Sequence, residues 1–298
     1  MIESSHVPVL LEEVMYYLDV KREGIYVDCT IGLGGHSLEI LKRNPHAKVI
    51  GLDIDEKSLF KARDILSPFT ERVELYHSDF RHLPDLQIDF SNVRGLLLDL
   101  GISSFQLDTP ERGFSFNQEG PLDMRMDLRK KFTASKIIEK YSERKLGDVF
   151  HRYGELRQAR RLAREIASRR KAEKIQGTTE LRKLVEEVCR WRPQKGKIHP
   201  AAKVFQALRI EVNQELDGLA NFIEKIARII SNGARILVIS FHSLEDRIIK
   251  RSFAHLASEG NSHALLRILT KKPVIPSEEE IHMNSRARSA KLRAAERI

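Results

Sequence analysis

Four acids stand at matching places in this chain. Asp28, Asp53, Asp79 and Asp99 each close a short apolar run, and a glycine-rich turn, Gly32-Leu33-Gly34-Gly35, follows the first of them. Carboxylates gathered along one edge favour a cation, each close contact near a protein surface being worth about 4 kcal/mol. Glycines in such a turn admit φ > 0 and leave no Cβ between main chain and ligand. A turn of this kind, opening a helix after a strand, is how α/β sheets hold nucleotides at their carboxyl edge. Taken alone, the glycines fit a plain tight turn or a dinucleotide loop as well. A carboxylate beside a pyrophosphate would repel it, so Asp28 and Thr30 turn the reading towards a ligand that carries an amino group and positive charge.

S-adenosylmethionine has both properties. Asp53 is placed to accept its two ribose hydroxyls, although NAD sites put an acid at the same position for the same hydroxyls. Asp79 and Phe80 would flank an adenine, the acid accepting from the amine and the ring forming an apolar wall. The competing readings are a helix cap for any single acid and ordinary core for Phe80. Ser240 and His242, after a later apolar run, add a hydroxyl and an imidazole at the same edge.

Positioning these groups calls for short buried strands alternating with helices. Apolar runs around 26–28, 47–53, 72–77 and 93–99 supply the strands, with helices expected at 9–18, 37–42 and 56–66. Near-continuous apolar strands are covered on both faces, which implies a parallel sheet with right-handed crossovers. The alternation stops near Thr109, and 134–141, 146–153, 156–170 and 179–189 read as helices. It resumes with a long helix over 205–230, a fifth strand at 234–240, a helix at 244–253 and closing strands near 265–270 and 290–295. The expected organisation is a discontinuous α/β domain, 1–108 with 204–298, interrupted by a basic helical domain at 109–203.

The chain has 298 residues, 41% hydrophobic and 31% charged, with a net charge of +9. Between His151 and Lys203 lie sixteen Lys/Arg against six Asp/Glu, a larger surplus than that of the whole chain. The positive charge is therefore concentrated in the insert, which suits a polyanion such as RNA. Trp191, Phe114 and Phe116 could stack on an unpaired base; the alternative for Trp191 is packing. Two cysteines without C-x-x-C spacing, Cys29 and Cys189, suggest neither a disulfide framework nor a metal site. No leader or membrane-spanning run is apparent, so a cytoplasmic protein is expected.

Longer motifs are more specific than the glycine turn. They comprise His6-x-Pro8-Val9-Leu10-Leu11, Asp28-Cys29-Thr30-x-Gly32-x-Gly34-Gly35-His36-Ser37 and Leu98-Asp99-Leu100-Gly101-Ile102-Ser103-Ser104-x-Gln106-Leu107-Asp108. Arg112-Gly113-Phe114-Ser115-Phe116 and Gly120-Pro121-Leu122-Asp123-Met124-Arg125-Met126-Asp127 follow. Phe205-Gln206-Ala207-Leu208-Arg209-Ile210-x-Val212-Asn213, Ile239-Ser240-Phe241-His242-Ser243-Leu244-Glu245-Asp246-Arg247 and Arg293-Ala294-Ala295-Glu296-Arg297 complete the set. In this order, nearly end to end, the chain resembles the bacterial small-subunit rRNA methyltransferase H family, also called MraW.

The resemblance implies a Rossmann-like class I methyltransferase sheet with an inserted helical domain. It implies S-adenosylmethionine as cofactor, and methyl transfer to N4 of a cytidine in the decoding region of 16S rRNA, free or in the small ribosomal subunit. Cofactor contacts would be Gly34, Gly35, His36, Asp53, Phe80, Asp99 and Gln106. Asp99 and His242 are the candidate catalytic residues, and no metal is expected. Phe105 stands where the family usually has proline. A homodimer is compatible with the sequence. Competing functions are an NAD(P)-dependent oxidoreductase, a non-catalytic RNA-binding assembly factor, and methylation of DNA instead of RNA.

Overall fold

The computed structural model describes residues 8–194, 196–258 and 264–298; His6 of the first motif lies outside them. Contacts divide the chain into two compact units, Met1–Gly101 with Asp217–Ile298, and Ile102–Leu216. None of the described helices is long and apolar enough to cross a membrane.

The first unit opens with α1 (Leu11–Leu18), β1 (Gly24–Asp28), α2 (Gly35–Arg43) and β2 (Ala47–Asp53). Then come α3 (Glu56–Ile65), β3 (Val73–His77) and β4 (Val93–Asp99). The second unit contributes α4 (Ser104–Asp108), α5 (Ala134–Lys140), α6 (Glu143–Arg152), α7 (Ala159–Arg169), α8 (Thr178–Cys189) and α9 (Pro200–Asn213). The chain then returns to the first unit as α10 (Leu219–Ile229), β5 (Arg235–Ser240), α11 (Ser243–Leu256), β6 (Leu266–Ile268), α12 (Glu278–Met283) and β7 (Lys291–Arg297).

The strands form one sheet in the order β3-β2-β1-β4-β5-β7-β6. The five strands from β3 to β5 run parallel, while β7 is antiparallel to both β5 and β6. Alternation along each strand feeds two apolar layers. Leu96, Leu98, Ile236 and Val238 pack with Phe222, Ile226 and Phe253 from α10 and α11 on one face. Leu97, Leu237 and Ile239 pack with Val14, Leu18, Ile40 and Leu59 from α1, α2 and α3 on the other. At about 1.5–3 kcal/mol per buried aliphatic side chain, these layers fix the strands and so fix which residues end at the carboxyl edge.

The helical unit has its own core, built from Phe150, Leu162, Ile166, Leu184, Leu208 and neighbours. Phe205, Ala207, Leu208 and Val212 belong to that core, and this is why the unit extends past the limits expected from sequence. The long helix expected over 205–230 is two helices. α9 ends at Gln214 in the left-handed region, φ 54°, and α10 starts after Gly218, φ 73°. Asp217-Gly218 is a breaker signal that the uninterrupted apolar spacing masked. The first helix also begins later than expected: Pro8 precedes it, and Leu10 caps it at φ 55°.

One buried amide holds the helical unit's loop in place. Met124 is fully buried with φ 60°, a conformation that is uncommon outside glycine. Asn213 supports it: Nδ2 donates to the Met124 carbonyl (2.8 Å) and the Arg209 carbonyl (2.9 Å), and Oδ1 accepts from the Met126 N–H (2.8 Å). Replacing Asn213 by alanine strands two buried backbone groups of the loop, at about 1–3 kcal/mol each. Asn213→Ala should therefore destabilise this unit by about 2–4 kcal/mol. Urea unfolding followed through Trp191, the chain's single tryptophan, measures it; an unchanged midpoint would refute the role given to Asn213.

Candidate active site

Strand order reverses between β1 and β4, and the crevice outside their carboxyl ends is where open α/β sheets bind ligands. Asp28, Asp53 and Asp99 are the last residues of β1, β2 and β4, so three of the four expected acids meet there. The fourth does not serve as expected. β3 ends at His77, and Asp79 caps the following 3-10 turn by accepting from the Arg81 N–H. Both its oxygens also take the Arg81 guanidinium, at 2.8 and 2.5 Å. That carboxylate is paired with its own neighbour.

The other acids tie the crevice together. Asp28, only 2% exposed, accepts from the Ser37 hydroxyl at 2.8 Å and from the Thr30 N–H at 3.3 Å. It thus joins the end of β1 to the start of α2. Asp53 accepts from the Gly32 N–H and the Asp55 N–H, both at 2.8 Å, which pulls the glycine turn onto the tip of β2. Each Asp53 oxygen keeps further acceptor capacity, as a ribose diol would need. Thr30 Oγ1 accepts from the Asp99 N–H at 2.6 Å, linking the ends of β1 and β4.

Asp99 differs from both. Its Oδ2 lies 3.9 Å from His36 Nδ1, and its buried Oδ1 has no hydrogen-bond partner among the described residues. Burial, with the nearby charges of Asp28 and then Glu245, pushes its carboxyl up to about 8. Burial likewise pushes Asp28 to about 6, against the lowering effect of the Ser37 and Thr30 bonds, and Asp53 to about 6, against those of the Asp55 and Gly32 amides. An edge with one buried acid, two half-buried ones and an orphaned carboxylate oxygen is short of positive charge. The donor set fits a cationic ligand carrying an amino group and a diol, which is the chemistry of S-adenosylmethionine.

The glycines are used differently from one another. Gly34 caps α2 at φ 85°, and a side chain there would be strained and would press on Leu66 at 3.1 Å. A Cβ on Gly35 would lie 2.5 Å from Pro8 Cγ. The space left by these two is therefore filled by the protein itself, whereas the reading from sequence gave it to the ligand. What Gly34 and Gly35 contribute is the path of the backbone into α2, with the Gly34 N–H donating to the Ile31 carbonyl at 2.7 Å.

His36 is 6% exposed, and its Nε2 lies 3.0 Å from the Val9 carbonyl. A carbonyl only accepts, so in the neutral ring the proton sits on Nε2 and the Nδ1 lone pair faces Asp99. Phe80 packs edge-on against Phe222 at 4.9 Å and belongs to the rim of the apolar layer. Gln106 lies in the helical unit, 4% exposed. Its side-chain oxygen accepts from the Ser103 N–H, while Ser103 Oγ accepts from the Gln106 N–H, a reciprocal cap on α4. Phe105 occupies the first turn of that helix, where proline is also tolerated, so the departure from the family residue leaves the cap intact.

His242 caps α11. Its Nδ1 accepts from the Glu245 N–H at 3.3 Å, and its Nε2 is 3.3 Å from Glu245 Oε1. Glu245, 1% exposed, accepts in turn from the Phe241 and His242 N–H groups. Both ring nitrogens therefore face the helix's own first turn. Ser240 donates to the Lys291 carbonyl in β7 (3.4 Å). The residue passed over in sequence is Glu245; the spacing His242-x-x-Glu245 is that of a capping box with an unusual first member.

The sequence matches the family described as the MraW methylase family over residues 3–298. The Ribosomal RNA small subunit methyltransferase H of Cyanothece sp. is 46% identical over 296 residues, covering 99% of this chain and 96% of that protein. Its counterpart in Thermosipho africanus is 46% identical over 302 residues, with 99% of each chain covered; that of Carboxydothermus hydrogenoformans is 45% identical over 311 residues, again with 99% of each covered. The sheet order with its single reversed strand is that of a Rossmann-like class I methyltransferase, and by its sequence the chain belongs to the MraW methylase family.

Proposed function

We propose that the protein transfers a methyl group from S-adenosylmethionine to the exocyclic N4 of a cytidine in the decoding region of 16S rRNA. The observation that carries this is the orphaned, buried Oδ1 of Asp99 at a sheet edge where it stands with the buried Asp28 and the half-buried Asp53, in a chain of this family. Bound S-adenosylmethionine supplies an electrophilic methyl group and the positive charge that the crevice lacks. Asp53 accepts from its ribose hydroxyls, Phe80 walls the adenine, and the backbone of Gly34, Gly35 and His36 receives the methionine end. The work is done in the cytoplasm, where ribosomal subunits are found.

The cytosine amine is a weak nucleophile because its lone pair is delocalised into the ring, and it becomes strongly acidic once it has bonded to carbon. Alignment therefore matters more than a powerful base. Asp99 balances the positive charge and offers Oδ1 to an amine hydrogen. A carboxylate whose proton affinity has been raised by burial is a better acceptor than a solvated one. His36, with its Nδ1 lone pair towards Asp99, keeps a second acceptor there. His242 acts on the chemistry through the turn that it and Glu245 hold in place. The surplus positive charge of the helical unit attracts the RNA backbone without reading its sequence.

Incubation with labelled S-adenosylmethionine and either free 16S rRNA or small subunits, followed by nucleoside mapping, tests the reading. The expected product is N4-methylcytidine at one site; label on another base, or on DNA only, would sink it. Asp53→Ala should weaken cofactor binding by about 10–100-fold through the loss of charge-assisted hydrogen bonds. Asp99→Asn should lower kcat by about 10²–10³-fold, and isothermal titration with single-turnover kinetics separates the two effects.

The Asp99 carboxyl, near 8 in the free protein, is held lower beside a cation, so the free protein binds more protons than the complex at pH below 8. Cofactor affinity should therefore climb with pH up to about 8 and then level off. Asp99→Asn should flatten that part of the profile. The opposite sign governs folding. Burial raises Asp99 above its unfolded value, so its contribution to stability is complete below about pH 4 and is lost as pH rises through about 8. Without cofactor at pH 8, Asp99→Asn should raise Tm by about 2–4 °C for each kcal/mol of relieved desolvation; a lower Tm would contradict the electrostatic account of the crevice.

A further inference from the structure

The stretch between α8 and α9 combines two features that the methyl-transfer site does not use. Residues 190–198 hold Arg190, Arg192, Lys195 and Lys197 and no acid. The ends of this stretch are pinned. Arg190 closes α8 in the left-handed region at φ 50°, and the Trp191 N–H donates to the Glu186 carbonyl at 2.8 Å. At the other end His199 caps α9, its Nδ1 accepting from the Ala201 N–H at 3.0 Å. The opposite ring nitrogen therefore carries the proton and points at Glu186 Oε1, 3.0 Å away.

The two pinned ends meet ring to ring. Trp191 lies edge-on to His199 at 5.1 Å, and Phe116 stacks on His199 at 5.2 Å with planes 21° apart. The Arg182 guanidinium stands 5.9 Å from the Phe116 ring centre. Rings held by helix caps and by one another lose little freedom when a flat ligand settles on them. Trp191 keeps part of its surface accessible.

The charge on this stretch is uncompensated, whereas part of that elsewhere in the helical unit is paired. Elsewhere Arg160 pairs with Asp148, Arg164 with Glu143, Arg169 with Glu165 and Glu187, and Lys174 with Glu139. The nearest acids on α8 are taken: Glu186 by Arg182 and His199, Glu187 by Arg169. Arg190, Arg192 and Lys197 are exposed, and no ion pair engages them among the described residues. Three free cations around a fixed, partly exposed indole match a polyanion with unpaired bases; a folded protein partner would call for an apolar patch with a rim of both charges.

We propose that this stretch is a docking point for single-stranded RNA, with Arg190, Arg192 and Lys197 holding phosphates and Trp191 stacking on an unpaired base. The proposal rests on the reading of the protein as an rRNA methyltransferase, and it assigns one recognition surface within the helical unit. Phosphate contacts of this kind set position, and stacking on an aromatic ring tolerates any base.

The test titrates the full-length protein, without cofactor, against a labelled unstructured RNA oligonucleotide at several salt concentrations. Arg192→Gln with Lys197→Gln should reduce the slope of log K against log salt by about 1.4, or 0.7 for each lost phosphate contact. Trp191→Ala should weaken binding about tenfold, while Trp191→Phe keeps most of it. With rRNA as substrate the double variant should raise KM and leave kcat and cofactor affinity within about twofold of the parent. Unchanged RNA affinity and salt slope in the double variant would overturn the proposal, as would equal effects of Trp191→Ala on RNA affinity and on cofactor affinity. Oligonucleotide binding is read independently of methyl transfer. A parent protein that binds RNA through these residues yet transfers no methyl would therefore refute the proposed function and leave the docking surface standing.

Discussion

Keeping carboxylates out of water at the end of a parallel sheet is the constraint on which the rest of this structure depends. Three acids end adjacent strands, and burial opposes the ionised form of each. Two are reconciled by local donors: Ser37 and the Thr30 amide for Asp28, the Gly32 and Asp55 amides for Asp53. Those bonds also dictate the path of the glycine turn, because the donors belong to it or border it. Asp99 is left with an oxygen that no described residue satisfies. An unsatisfied buried acceptor is costly, and a protein that keeps one has put selection on binding ahead of stability at that point.

The two units divide the physical work. The sheet unit buries apolar layers on both faces and concentrates its strain at one edge. The helical unit builds a separate core from α5 to α9 and locks its irregular loop with Asn213. Some of its surface cations pair with acids, as Arg160 does with Asp148 and Lys174 with Glu139, contacts worth little individually in water, and many others are in no ion pair among the described residues.

Much of this was legible from residue order. Alternating apolar runs with terminal acids gave the parallel sheet, and Asp28, Asp53 and Asp99 were found at its edge because strand periodicity is local. What escaped depended on side-chain contacts that apolar periodicity does not carry. Nothing near Gly35 announces that Pro8 fills the space beside it, so a packing glycine read as clearance for a ligand. Asp79 and His242 resembled site residues by position, yet a neighbour two or three residues on, Arg81 or Glu245, engages each. The break between α9 and α10 was written in Asp217-Gly218, but apolar spacing continued across it and outweighed the signal. Trp191 and His199 are separated by residues 192–198, and their contact follows from two helix caps that no periodicity reveals.

The position of β7 carries a consequence for how the molecule comes into being. This strand, the last in sequence, sits inside the sheet with β5 on one side and β6 on the other. Until residues 291–297 have been synthesised, β5 exposes a full row of unpaired backbone groups and β6 has nothing to pair with. The growing chain therefore carries an open sheet edge at β5, the kind that recruits neighbouring strands, while residues 241–290 are added. Closure is then an insertion between two waiting strands, with contacts spanning long stretches of chain, which is the slow kind of step in folding.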